Sequence, residues 1–335
     1  MRPRIAITPG DPRGIGPEVA LAALRMLDAE GLDFDPVLLG PGGTALTPGG
    51  ARTTPDDWVP ATDLDDEAAG RIAAEAIEHG VALALEGRAE ALVTAPIHKP
   101  SLHAAGRRFP GHTEFLQELA GVPHVGMLMA AEETRLGAPL RVLLATTHIA
   151  LAEVPSRVTA DLLVAQTSLL AASLRDDWGI SEPRVALCAL NPHASDGGLF
   201  GDEEERVYGP AIRRLAEVGF RVTGPLPADT VFQRALARDF HAVVAPYHDV
   251  GMAAFKTVCF GTGVNVTLGL PFIRTSPDHG TAFDLVGTGK ADPSSMIEAL
   301  RLAIRLARSR FDRGPSVPNL SSRNTVPTPA SRPLR

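Results

Sequence analysis

The sequence predicts an α/β fold in which helices cover a largely parallel sheet, and three observations support this. Short apolar runs such as Arg141-Val142-Leu143-Leu144-Ala145 alternate with stretches of helical periodicity. Hydrophobic residues make up 44% of the chain and aromatics only 5%, so the core must be built from Ala, Val, Leu and Ile, the usual material of a sheet buried on both faces. At 335 residues the chain has room for two domains or one large α/β unit.

Taken in order, Arg4-Ile5-Ala6-Ile7 is a strand, and Thr8 to Glu18 is a glycine-rich turn into a helix over 17–27, with Pro17 suited to its first turn. The glycine spacing matches neither the dinucleotide fingerprint nor the P-loop, so the turn reads as a tight connection or as a phosphate-facing one. Residues 41–60 are turn-rich and solvent-facing, and 68–86 follow helical periodicity. Ala91-Leu92-Val93 is a strand that ends in Thr94-Ala95-Pro96-Ile97-His98-Lys99. Gly111-His112-Thr113 starts an amphipathic helix; Thr113 either caps it or joins His112 in binding an anion at the helix N-terminus.

Residues 141–145 form a buried strand ending in Thr147-His148, followed by a helix over 159–174. The strand over 184–189 ends in Asn191-Pro192-His193, with an acidic helix start at 201–205. Residues 224–230 read as a loop capping a helix that includes Val231 and Phe232, and the strand over 242–245 ends at Tyr247-His248. An amphipathic helix occupies 296–307, and the Pro-, Ser- and Arg-rich segment 312–335 is expected to be a disordered tail.

The formal net charge of -7, without a long basic run in the body of the chain, gives no footprint for nucleic acid. Apolar stretches are too short and too interrupted to span a membrane. The N-terminus runs directly into a strand pattern, which predicts a cytoplasmic protein. Cys188 and Cys259 sit in apolar surroundings and read as reduced structural thiols. Chemistry gathers at strand ends. A lone histidine beyond a strand is usually structural, but His148, His193 and His248 leave one edge of a parallel sheet, and three neutral imidazoles suit Zn²⁺ and other borderline divalent ions better than Mg²⁺. The densest polar stretch, 241–293, adds Asp249, Lys256, Asn265, Arg274, Asp278 and His279.

The runs Thr8 to Glu18, Gly111-His112-Thr113-Glu114, Thr147-His148, Asn191-Pro192-His193, Tyr247-His248-Asp249 and Asn265 to Thr281 together resemble the 4-hydroxythreonine-4-phosphate dehydrogenase family of pyridoxal phosphate biosynthesis, in order from about 5 to 307. His279 to Gly289 is also similar to the adenine-side cofactor loop of isopropylmalate and isocitrate dehydrogenases. The resemblance implies two α/β/α domains of that fold, 1–120 plus 285–311 and 121–284, the second carrying the metal and substrate site. It implies a homodimer with active sites in the interdomain cleft at the interface, and histidines from both subunits on the metal.

By motif position the resemblance implies His148, His193 and His248 as metal ligands. It likewise implies His112, Thr113, Lys256, Asn265 and Arg274 as substrate contacts, and Asp278, His279, Gly280, Thr281, Asp284, Gly287 and Gly289 as the cofactor loop. Lys256, Asp249 and Asp229 are the candidates for proton transfer or for supporting the metal ligands, helix capping being the other reading of the two aspartates. The implied cofactors are NAD, with NADP as an alternative, and Zn, Co or Mg.

The implied reaction is oxidation of the C3 hydroxyl of 4-phosphohydroxy-L-threonine, followed by loss of CO₂ to give 3-amino-2-oxopropyl phosphate. Three positions depart from the family pattern: Val250 where Gln is usual, Ala253 near a frequent Pro, and Pro277 where Val is common. They bear on substrate identity more than on reaction type and leave open the phosphates of D-threonate or D-erythronate, substrates of close relatives; a phosphate-ester-binding protein without dehydrogenase activity is a separate alternative. Other relatives oxidise aromatic cis-dihydrodiols, but Lys256 with Arg274 argues for a phosphorylated anion instead.

Overall fold

One ten-stranded sheet organises the molecule in the computed structural model, which describes residues 2–40, 61 and 63–313. Its strands are β1 (Arg4–Thr8), β2 (Asp35–Leu38), β3 (Ala91–Thr94), β4 (Gly126–Ala131), β5 (Leu140–Leu144), β6 (Arg184–Cys188), β7 (Arg221–Leu226), β8 (Ala242–Ala245), β9 (Val264–Leu268) and β10 (Ile273–Pro277). They lie in the order β2-β1-β3-β10-β9-β4-β5-β8-β6-β7. The helices are α1 (Gly16–Ala29), α2 (Asp66–Leu85), α3 (Lys99–Ala104), α4 (His112–Ala120), α5 (Val154–Arg157), α6 (Ala160–Asp176), α7 (Gly209–Glu217), α8 (Ala228–Leu236), α9 (His248–Cys259) and α10 (Ser294–Arg313).

The largely parallel sheet expected from composition needs correction at its centre. Two parallel blocks, β2-β1-β3-β10 and β5-β8-β6-β7, are joined through β9 and β4, each antiparallel to both of its neighbours. The reason lies in the alternation of Asn265-Val266-Thr267-Leu268 and Ile273-Arg274-Thr275-Ser276. A strand with one polar face belongs where that face is not covered by helices.

One face of the sheet buries a continuous apolar cluster that takes in Val93, Leu128, Leu143, Val185, Val266 and Ile273, under α1, α6, α7 and α10. The opposite face splits into two separate clusters. One holds Leu92, Leu39 and Ile77 with Phe115 and Leu116 of α4; the other holds Val142, Cys188 and Val243 with Val231 of α8 and Phe255 of α9. Each fully buried Leu, Val, Ile or Phe is worth about 1.5–3 kcal/mol, so the two clusters are substantial bodies in their own right. The gap between them leaves Met127 and Asn265, on the central antiparallel strands, only half-buried.

Several ends differ from the sequence reading. Asp65 caps α2 by accepting from Ala68 N at 2.8 Å, and Thr159 caps α6. Thr113 does not cap α4, whose N-cap is Gly111 without a side-chain bond. Residues 224–226, read as loop, belong to β7, because their backbone is needed to pair β6. Asp312 and Arg313, assigned to the tail, are the last residues of α10; its final turns are tied down by Arg310 on Asp177 and by Arg313 Nη1 on Arg175 O at 2.6 Å. The predicted turn-rich segment 41–60 and the remainder of the tail, 314–335, lie outside the described residues. Cys188 and Cys259 are free and buried, as expected, and no described helix is long and apolar enough to cross a membrane.

Candidate active site

A cleft of about 520 Å³ occupies the gap between the two apolar clusters. Its floor follows from strand pairing. Asn265 lies opposite both Ser276 of β10 and Met129 of β4, and Thr267 lies opposite Met127, so period-two alternation puts Arg274, Ser276, Asn265, Thr267, Met127 and Met129 on one face. Residues from 94–114 wall one side and residues from 248–256 the other.

Arg274 dominates the floor. Only 1% of it is exposed, and its guanidinium donates to Thr267 Oγ1 at 2.9 Å and to Thr94 Oγ1 at 2.6 Å while Nε has no partner. Burial alone lowers its pKa, to about 9, so it is still charged at neutral pH, and no carboxylate among the described residues pairs with it. A buried charge without a counter-ion is costly, and an anion in the cleft removes that cost.

Above it, α4 begins at His112, and its first N–H groups have no side-chain cap, a ready site for negative charge. His112 is driven well below the usual imidazole pKa by burial and by Arg274, so it is neutral; its Nε2 and the Oδ1 of Asn265 are buried without partners.

The far wall is α9. His248, Met252 and Lys256 recur every four residues and so form one stripe along the cleft. The His248 and His148 rings stand 5.7 Å apart, centroid to centroid. Partial burial, then Lys99 and His248, lower the His148 pKa, which keeps its ring neutral and able to donate a lone pair. His248 Nδ1 lies 2.7 Å from Asp249 Oδ1, a bond that leaves Nε2 as the free donor atom. Asp249 itself is exposed and lies outside the cleft.

β5, β8 and β6 are parallel neighbours, so the three histidines do leave one sheet edge. Within one chain, however, only two meet. His193 follows β6 in a left-handed turn that carries it to Phe200, at 6.5 Å between ring centroids, and it does not line the cleft. The sequence pattern locates the strand ends but says nothing of the direction the loop then takes.

Of the remaining expected residues, Thr113, Lys256, Asp278, His279 and Gly280 line the cleft. Lys256 Nζ is 3.6 Å from Asp278 Oδ2, and Ser295 Oγ holds Asp278 Oδ1 at 3.1 Å. Thr281, Asp284, Gly287 and Gly289 lie beyond the cleft, in a loop laid against the start of α1. Ile15 N donates to Thr281 O at 2.9 Å, Gly287 N donates to Glu18 Oε2 at 3.3 Å, and the Phe283 ring is flanked by His98 and Arg13. Gly14 permits this docking, since a Cβ there would stand 2.9 Å from Thr281 O. Asp229 is exposed in the first turn of α8, away from the cleft of its own chain.

Sequence reasoning missed Thr94, Lys99, Glu114, Met127, Met129, Met252 and Ser276 as lining residues. Lys99 and Glu114 stood in noted motifs. The methionines carried no signal until β4 and the α9 stripe were known.

Fold and cleft together define an α/β protein whose buried Arg274 equips its cleft for a small anion. Residues 54–303 match the family described as pyridoxal phosphate biosynthetic protein PdxA. A 4-hydroxythreonine-4-phosphate dehydrogenase of Ruegeria sp. (strain TM1040) is 45% identical over 328 residues, covering 91% of this chain and 97% of that protein. The crystal structure of the Klebsiella pneumoniae enzyme of the same name superposes with a TM-score of 0.77 at 35% identity, over 91% of this chain and 99% of that one. A terephthalate 1,2-cis-dihydrodiol dehydrogenase of Burkholderia xenovorans LB400 is more distant, with a TM-score of 0.62 and 28% identity over 91% and 98% of the two chains. The chain belongs to the PdxA family, and is thereby an oxidoreductase of a kind that uses a nicotinamide cofactor.

The residues present fit both groups this implies. The His148 and His248 rings, 5.7 Å apart, the first kept neutral by burial and the second oriented by Asp249, are donors of the kind a borderline divalent ion takes, though among the described residues one chain brings only two of them together. For the nicotinamide cofactor, His279 at the cleft mouth keeps a buried Nε2 without a partner.

Proposed function

We propose that this chain catalyses the NAD-dependent, divalent-metal-dependent oxidation of 4-phosphohydroxy-L-threonine to 2-amino-3-oxo-4-phosphooxybutanoate, which loses CO₂ to give 3-amino-2-oxopropyl phosphate. The observation that carries this reading is the buried Arg274 guanidinium, without a counter-ion among the described residues, lining the same cleft as the His148 and His248 pair. It is supported by relatives named for that activity.

In this reading Arg274, Thr113 and the free N–H groups of α4 hold the phosphate or carboxylate, because a planar guanidinium and a helix N-terminus both match tetrahedral or planar oxyanions. Neutral His112 and Asn265 hydrogen-bond the substrate's polar groups. His148 and His248 provide lone pairs to Zn, Co or Mg, Asp249 fixes the His248 tautomer, and Lys256, held by Asp278, moves the proton. A divalent ion held by His148 and His248 would supply polarisation of the reacting hydroxyl and of the keto acid, and a bound nicotinamide would supply the hydride acceptor. Residues 278–289, with His279 at the cleft and Asp284, Gly287 and Gly289 outside it, would hold the cofactor, NAD or NADP.

The chain acts as a cytoplasmic homodimer divided into 1–120 plus 285–311 and 121–284, with His193 of the partner subunit as the third imidazole. Its exposure without an internal hydrogen bond among the described residues, while its neighbours on the same sheet edge form a pair, supports this assignment. A second reading, oxidation of 4-phospho-D-threonate or D-erythronate phosphate, rests on Pro277, which departs from the family pattern and lines the cleft. NADH formation with the L-amino substrate, compared with those two acids in the presence of a divalent ion, separates the readings. No turnover of any of the three overturns both.

A further inference from the structure

The loop that carries His193 has the most unusual backbone among the described residues. Of the six non-glycine residues with positive φ among the described residues, four are consecutive in this loop: His193 at 52°, Ala194 at 56°, Ser195 at 64° and Asp196 at 45°. L-residues pay a steric penalty in this region, where Cβ crowds the following carbonyl, so a run of four persists only when its surroundings impose it. Gly197 and Gly198 extend the same turn at 68° and 97°.

What imposes it is found at the root of the loop. Glu204 is 5% exposed, yet its carboxylate does not serve its own helix. Oε1 accepts from Leu190 N at 3.0 Å and from Asn191 N at 2.8 Å, the two amides through which the chain leaves β6. Asn191 Nδ2 donates to Glu204 Oε2 at 2.9 Å and to Glu203 Oε2 at 2.7 Å. Gly201 lets the clamp close, because a Cβ at that position would stand 2.6 Å from Glu203 Oε2 and 2.7 Å from Asn191 Nδ2. Glu204 opens a π-helical turn over Glu204–Tyr208, and Tyr208, fully buried, donates from its hydroxyl to Cys188 O at 2.9 Å, at the end of the same strand. Such wide turns insert one residue and redirect a side chain, often at functional sites. At the far end of this clamp His193 is exposed and makes no hydrogen bond within its chain among the described residues.

We propose that Glu204 is a positioning residue: its buried carboxylate latches the strand exit and holds the left-handed turn, so that His193 is presented outward in one orientation as a metal donor. The metal part rests on the function proposed above. The latch itself is a property of the chain alone.

The test uses the full-length protein, Co²⁺ as the metal probe and inorganic phosphate as a probe of the Arg274 end. Glu204→Gln is expected to lower Co²⁺ affinity about 10–100-fold, the usual effect of losing the partner that orients a ligand, with phosphate binding changed by less than about twofold. On a His193→Ala background the same substitution adds less than about twofold, since the latch acts through that residue. In the metal-free protein, hydrogen exchange at the Leu190 and Asn191 amides accelerates at least about tenfold. Glu204→Asp, which keeps the charge but shortens the reach, recovers part of both effects.

Co²⁺ affinity within about twofold of wild type in a Glu204→Gln protein that still binds phosphate overturns the proposal, as does a full loss that persists without His193. If His193→Ala leaves Co²⁺ affinity unchanged, the metal reading has failed instead, and the exchange measurement alone decides the latch. Unchanged protection at Leu190 and Asn191 then refutes it.

Discussion

The two ends of the cleft are built in opposite ways. The anion end stands on β3, β9, β10 and the start of α4, with Arg274 buried and held by two threonine hydroxyls. The imidazole end stands on strand exits: His148 and His193 are exposed, His248 is half-buried, and only two of the three rings meet in one chain. The difference teaches that one end is assembled within the chain, its charge poised for a ligand, while the other, in the function proposed above, draws its third imidazole from a partner. Binding of an anion is therefore expected not to need the metal, whereas metal binding needs the assembled site.

The largest effect that can break this contrast is at the imidazole end. His148→Ala or His248→Ala is expected to lower divalent-ion affinity by more than the roughly 10–100-fold typical of outer-lying partners, and turnover with it, while phosphate binding persists. Metal titration and phosphate calorimetry on the same samples check this. Loss of both together would mean that the two ends are one unit.

Next in size is the anion end. Arg274→Met is expected to cost about 2–5 kcal/mol of phosphate binding, the range for truncating one partner of a buried charge pair. Its effect on stability without ligand is expected to be small or favourable, because an apolar group replaces an unpaired buried charge. For wild type, inorganic phosphate at 100 times its Kd adds about 2.7 kcal/mol of stability. Thermal melts of both proteins, with and without phosphate, read these effects, and strong destabilisation of the ligand-free variant would contradict the anion-site reading.

Much of this contrast was legible in the sequence, and unevenly. The β–α alternation, the three strand-end histidines and the polar run around 265–281 were plain because buried strands and their exits differ sharply in polarity. The two strands inside that run were not recognised. Asn265 to Leu268 and Ile273 to Ser276 alternate, but four residues of alternation carry little weight within a run so rich in Gly, Pro and charged residues. Asp35–Leu38 and Gly126–Ala131 were missed because four to six residues, with a proline or small residues among them, carry little periodic signal. The fate of His193 was beyond sequence reasoning, since φ > 0 at His, Ala, Ser and Asp is imposed by distant contacts and not by local preference.

A smaller effect sharpens the imidazole end. Asp249→Asn keeps the size of the side chain that holds His248 Nδ1 but removes its charge, and about tenfold weaker metal binding is expected, the low end of the range because Asp249 is exposed.

The smallest effect is on pH. Burial first, with Arg274 acting on His112 and Lys99 on His148, depresses both folded-state pKa values below 6.5. The folded state thus binds fewer protons than the unfolded one. The associated stability is fully present above about 6.5 and is lost as pH falls from there through the folded-state values. His112→Gln is expected to flatten that acid limb in urea titrations across the window, and an unchanged slope would deny His112 its part.

Mixing of two inactive variants bears most directly on the idea that one chain offers His148 and His248 while another offers His193. His193→Ala and His248→Ala proteins, each silent alone, are unfolded together, refolded and assayed. Random pairing in a two-fold dimer leaves half of the molecules with one intact site, so about a quarter of wild-type turnover is expected to return. A mixture as inactive as its components, in samples shown by mass to contain hybrid dimers, would contradict it.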